Sequence, residues 1–216
     1  MKCLLISILF LLIPFCLFAQ FSVGVKASPI LFGSWTFSTG DIENDTIATG
    51  GWAPINFGAF FNYSFKEHFA IQAEIKPMVE SISCDITDKD IDGGWFDFTF
   101  IEIPLLFQYK GQSRFRWFAE AGFSLKFLVL ADHHFGQDKY DAKEYFNNVI
   151  FKSNIGGGIM FDITKNFTLI ADTRLGYDIT PIGKKSIIEK VEKEWSFDNI
   201  RPLHLTVISI GIAYKF

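Results

Sequence analysis

The residues best equipped for chemistry are four histidines and the carboxylates near them. Asp132-His133-His134 sets two imidazoles beside a carboxylate, a combination that can ligate a metal or act as a base. Neighbours on an extended chain point opposite ways, so adjacent histidines rarely share one ion, and a solvated loop is expected there. His204 could serve as a base with Asp178 or Ser209, as a lipid-modifying site at a membrane rim would need. Spacing alone supports none of these pairings, and His68 falls in a short turn, so no catalytic residue is expected. Gly156-Gly157-Gly158 has neither a following lysine nor a following helix, which argues against a phosphate cradle and for a flexible, curved wall. Asp41, Glu43 and Asp45, and then Asp85, Asp88, Asp90 and Asp92 beside Lys89, offer hard oxygens to calcium or magnesium. They lack a calcium-loop pattern, so solvation is the expectation. Neither a metal nor a cofactor is assigned.

The chain that must position these groups is oily and nearly neutral. Its 216 residues are 49% hydrophobic, include 26 Phe and carry a formal charge of -4. Such a composition excludes a disordered chain and a protein that grips nucleic acid through its phosphates. Met1-Lys2, the uncharged stretch Cys3 to Phe18 and Ala19-Gln20 read as a secretory signal peptide, residues 1–19, cut after Ala19. The single domain 20–216 would then keep only Cys84, which cannot form an internal disulfide.

Within that domain the dominant signal is alternation with period two. It runs through Phe21, Val23 and Val25, then Ile55 to Phe65, Phe69 to Val79, Ile101 to Tyr109 and Phe115 to Phe127. It continues through Phe151 to Ile163, Phe167 to Tyr177 and Ile208 to Phe216. Interleaved with these apolar sets stand Lys26, Lys76, Arg116, Lys126, Lys152, Arg174 and Lys215. They are matched by Glu74, Glu80, Glu102, Glu120, Asp162, Asp172 and Asp178. Alternate side chains of a strand face opposite ways, so one face is greasy and the other is charged and balanced. Two environments satisfy that pattern: a soluble sheet with its charges in water, or a membrane barrel with its charges inside.

Connection lengths choose between them. Turns at Lys66 to His68, Lys110 to Ser113 and Thr164 to Asn166 alternate with long connections over 33–52, 83–95, 131–147 and 181–201. Tight turns on one side, long loops on the other and aromatic strand ends are the marks of a barrel in the outer membrane. The predicted fold is all-β, an eight-stranded antiparallel up-and-down transmembrane barrel. At that strand number side chains fill the lumen. Glu74, Lys76, Glu102, Arg116, Glu120, Lys126, Lys152, Asp172 and Arg174 are the expected interior polar network. Pro104, lacking a ladder donor, predicts a bulge or bend. Residues Ser186 to Trp195 mix apolar and charged groups, as a partner-binding loop would.

Four short segments are similar to a known family. Val23-Gly24-Val25-Lys26, Phe98 to Tyr109 with its Glu102-Ile103-Pro104-Leu105-Leu106 core, Phe118 to Gly122 and Gly211 to Phe216 resemble PorT-like outer-membrane barrels of Bacteroidetes. The resemblance implies a location in the outer membrane, lipid as surroundings and assembly by the barrel-assembly machinery through a terminal signal at Tyr214 and Phe216. It also implies a link to protein secretion as one candidate role. A structural or surface-binding protein is the expectation, with ligands or proteins met at the long loops and no nucleic acid.

Overall fold

The computed structural model describes residues 20–28, 35–37, 56–84, 94–135, 138–184 and 201–216. The signal-peptide residues, the acidic groups at 41–45 and 85–92, and Ser186 to Trp195 lie outside them. Among these described residues ten strands follow one another. They are β1 (Gln20–Ser28), β2 (Trp35–Phe37), β3 (Asn56–Ser64), β4 (Phe69–Cys84) and β5 (Gly94–Lys110). After these come β6 (Phe115–Phe135), β7 (Asp138–Asp141), β8 (Val149–Asp162), β9 (Phe167–Asp178) and β10 (Arg201–Lys215).

Eight of them close on themselves. Each long strand pairs antiparallel with its neighbours, and β1 completes the ring by pairing both β3 and β10, with Val23 opposite Phe61 and Tyr214. Closure removes every edge, as a strand in hydrocarbon requires. The two short strands are extensions of the wall: β2 pairs the start of β10, and β7 folds back on the end of β6.

The alternation places apolar side chains outward. Val25, Phe57, Ile75, Leu105, Phe123, Ile155 and Ile210 are each more than half exposed, a surface that only lipid would cover. Near the short turns the outward rings form a belt. Phe21 stacks on Tyr63 with centroids 5.0 Å apart, Tyr109 meets Trp117 at 5.5 Å, and Tyr214 lies edge-on to Phe167 and Phe216 at 5.3 and 5.2 Å.

Two local expectations need correction. Residues 131–135 and 138–141 form a hairpin of β6 and β7, followed by a 3-10 turn over Lys143–Tyr145, where a solvated loop is expected from polarity. Of the bulge or bend expected at Pro104, the bulge is absent. Pro104 sits opposite Ser124 in unbroken register, and the β4–β5 ladder merely skips the pairs around it, as a missing donor dictates. The bulges lie at Val129 of β6 and between Thr206 and Ser209 of β10. The glycine run lies in the wall, within strand β8, where it faces β9. A Cβ on Gly156 would stand 2.5 Å from the Thr173 carbonyl oxygen, and one on Gly158 would meet the Ala171 carbonyl oxygen and stand 2.8 Å from the Asp172 Cβ, so these glycines let the β9 backbone around Asp172 and Arg174 approach closely.

Candidate functional site

The lumen is built in layers, each supplied by inward positions at one height of the barrel. At the waist, Arg174 of β9 reaches across to two other strands. Its Nη1 and Nη2 donate to Glu74 at 2.9 Å each, while its Nε and Nη2 donate to Glu120 at 2.9 and 2.6 Å. Lys26 donates to Asp172 at 2.6 Å and to Glu74 at 3.4 Å. Below them Asn62, Gln72 and Gln108 link the same carboxylates: Gln72 donates to Glu74 at 2.7 Å, and Gln108 to Glu120 at 2.8 Å.

Two further ionic layers lie above. Glu102, with no exposed surface, stands 3.3 Å from both Lys76 and Lys152. Lys126, equally enclosed, donates to Glu80 at 2.8 Å and to Asp178 at 2.9 Å, and lies over the Phe100 ring at 4.4 Å. Opposite charges brought together in this way neutralise one another where water is scarce, but each depends on its partner remaining.

Of the nine residues expected in this network, eight occupy these layers. Arg116 does not join them. It lies at the short-turn mouth, where it grips Asp162 through both nitrogens at 2.7 and 2.9 Å, with Lys215 donating to the same carboxylate at 2.6 Å. His204 enters the upper layer, 3.2 Å from Asp178 and 3.6 Å from Glu80. Simple parity points its ring outward with Ile208 and Ile210, and the extra residue of the β10 bulge turns it inward. Ser209 accepts a hydrogen bond from the Ser28 hydroxyl at 2.9 Å and stands opposite Asp172, not Asp178, in the β9–β10 ladder.

The outward end departs from a purely polar interior. Phe96, Phe98, Phe100, Phe146, Ile150 and Ile182 form a buried apolar cap with Met78 and Leu128. Phe98 is edge-on to Phe146 with centroids 4.7 Å apart. The segment at 181–184 is strapped over it: Asn147 donates from its side chain to the Pro181 and Gly183 carbonyls at 2.9 Å each, and its backbone to Ile182 at 2.8 Å. The bulge at Val129 turns Ala131 into the same cap and leaves Leu130 outside.

His133 and His134 diverge, as an extended chain requires. His133 stacks on Phe96 at 4.3 Å, while His134 stacks on Trp95 at 4.9 Å and stands 3.1 Å from Asp97. Among the described residues no cluster of three metal-ligating side chains occurs. On the exposed 3-10 turn, a hydrogen bond to Glu144 and that group's charge raise the Tyr145 phenol above its ordinary range.

Known proteins share this architecture. Neisserial surface protein A is similar in fold with a TM-score of 0.52 and 16% identity, over 91% of this chain and 97% of that one. OprG from Pseudomonas aeruginosa gives 0.53 and 14%, over 92% and 95%, and a major outer membrane protein from Thermus thermophilus gives 0.53 and 12%, over 92% and 99%. At such identities the likeness concerns the fold alone. No curated protein matches the chain. The outer membrane protein beta-barrel domain family matches residues 18–182, most of the length and seven of the eight closing strands. The chain therefore belongs to the outer membrane protein beta-barrel domain family, as a small eight-stranded barrel of the outer membrane.

Proposed function

We propose that this barrel is a closed scaffold, one that carries its outward hairpin and long connections at the cell surface and conducts no solutes. The observation that carries the reading is the double obstruction of the lumen: three ionic layers at and above the waist, then the apolar cap. Residues filling them, including Glu102, Lys126, Phe98, Phe100 and Ile150, have no exposed surface. The barrel domain begins in this reading at residue 20, after a cleaved leader. Lipid contacts the outward apolar face, and Tyr214 and Phe216 form the signal read during assembly. The role is structural or surface-binding, not catalytic.

The resemblance of Glu102 to Leu106 and its companions to PorT-like barrels supports a narrower reading as an accessory of a protein-secretion system. Planar bilayer recording tests the scaffold reading. The purified barrel, and its Glu102→Ala variant, should give no discrete conductance steps, and large ohmic currents from the unmodified protein would overturn it.

A further inference from the structure

The end opposite the cap is open, and its chemistry differs from every other part of the lumen. Between the short turns, a cavity of about 1020 Å³ is entered from the side that outer-membrane barrels turn toward the periplasm. Its floor joins the buried apolar residues Phe60, Met160, Ile170 and Ala213 to Asn62 and Gln72, the polar edge of the waist network. Its walls carry Lys66, Lys110, Arg116, Lys165 and Lys215 against only Glu67 and Asp162, five cations to two carboxylate side chains.

Both carboxylates are already engaged. Asp162 accepts from Arg116 twice, from Lys215 and from the Thr168 hydroxyl, the last two at 2.6 Å. Glu67 accepts from Gln112 at 2.6 Å. Lys110 stands apart. Its ammonium donates to the Asn62 amide oxygen at 2.7 Å and to the Ser64 hydroxyl at 3.4 Å, both neutral, and no carboxylate of the described residues lies within ion-pair reach. An ammonium has three donors, so one of the three is left for another acceptor. The other inward lysines of the barrel wall, Lys26, Lys76, Lys126, Lys152 and Lys215, each have a carboxylate within 3.3 Å, whereas Lys66 and Lys165 stand exposed in the turns.

We propose that this vestibule binds a phosphate-bearing anion, with Lys110 as its principal ligand. A phosphate group answers this excess of cationic side chains better than a carboxylate, because it brings up to two negative charges and several acceptor oxygens. Lys110 supplies the charge, and Ser64 adds a hydroxyl beside it. The same chemistry is offered by free phosphate and by a phospholipid headgroup, whose chains could lie along the aromatic rim at Phe65 and Phe69.

The test uses the full barrel folded in a zwitterionic detergent. Titration calorimetry with inorganic phosphate, and separately with short-chain phosphatidic acid, should give saturable binding to one or both. Lys110→Met should weaken it at least tenfold, and Lys110→Arg should largely retain it. Heat-modifiable gel migration checks that each variant is folded. A second measurement needs no variant: the ligand should protect Lys110 from amine acetylation in the native protein, read by mass spectrometry. Protection by inorganic phosphate identifies a free anion. Protection by phosphatidic acid alone, with phosphatidylcholine of equal chain length inert, identifies a headgroup. Unchanged acetylation with either ligand, or equal binding by a folded Lys110→Met variant, would overturn the site.

Discussion

The waist and the cap close the same lumen by opposite means. At the waist the inward side chains are ions and the outward ones are Ile75, Leu105 and Phe123, each more than half exposed. At the cap the inward side chains are Phe96, Phe98 and Phe100, all buried, while Asp97 and Thr99 alternate with them on the outer face. Strand β5 therefore changes character along its length. Below Phe100 it is a membrane strand, greasy outside and polar within. From Phe100 to Phe96 it is half of an ordinary water-facing sheet, with its oil turned inward. Its 17 residues exceed the roughly 9–11 that a tilted transmembrane strand needs, which leaves a projecting portion to follow the second rule. Parity separates the two faces, but the solvent at each height decides which face is apolar.

The sharpest way to break the comparison is to strip charge from the waist. Arg174→Met leaves Glu74 and Glu120 without their shared guanidinium and should cost about 3–5 kcal/mol of unfolding free energy. Denaturant titration in detergent reads the loss. Adding Glu74→Gln and Glu120→Gln to the same chain should restore part of it. A loss below about 1 kcal/mol would mean that the enclosed ions are solvated after all.

A charge scan along β5 locates the change of solvent. Leu105→Arg puts a cation on the lipid face and should cost about 2–4 kcal/mol, whereas Thr99→Arg, six residues nearer the outward end, should cost about 0–1 kcal/mol. Equal costs at the two positions would show that the bilayer covers the whole strand, and the water-facing account of the projection would fail.

Much of this was open to reading from the sequence. Closure, strand number and the inward facing of Glu102, Lys126 and Arg174 follow from alternation and from alternating connection lengths, both of which are local signals. The bulges are not local. One extra residue at Val129 and another before Ser209 shift parity without leaving a mark in residue type, so Ala131 and His204 could not be placed beforehand. The cap was hidden for a related reason. Phe96, Phe98 and Phe100 sit among Trp95, Ile101 and Ile103, so apolar residues occupy both faces and the periodicity that identifies a strand's inside is lost. Arg116 illustrates a third limit: its facing was legible, but not its height, which brings it to Asp162 at the mouth rather than to Glu120.

Within the cap itself the expected effects are smaller and local. Ile182→Val removes one methylene from a fully enclosed site and should cost about 0.5–1.5 kcal/mol. Because Ile182 belongs to the strap and not to the closing strands, the loss should appear chiefly as faster hydrogen exchange at the Asn147 amide, which donates to the Ile182 carbonyl. Waist amides should exchange as before.

The smallest effect belongs to the outer surface of the projecting hairpin. Lys139 and Asp132 form an ion pair of 3.0 Å there, with the lysine side chain 59% exposed. Its chemistry matches that of Lys126 with Asp178, 2.9 Å apart and fully enclosed. Water and salt screen the first pair, and both side chains lose rotamer freedom to make it, so Lys139→Ala should change stability by less than about 1 kcal/mol. Removing the Lys126 ammonium instead leaves two buried carboxylates with His204 as their only basic neighbour in that layer. The two substitutions, measured side by side at low and at high salt, turn the comparison of enclosed layer and exposed rim into one ratio. Salt should erase what little Lys139→Ala costs and leave the cost of Lys126→Met almost untouched, because only the first pair stands in electrolyte.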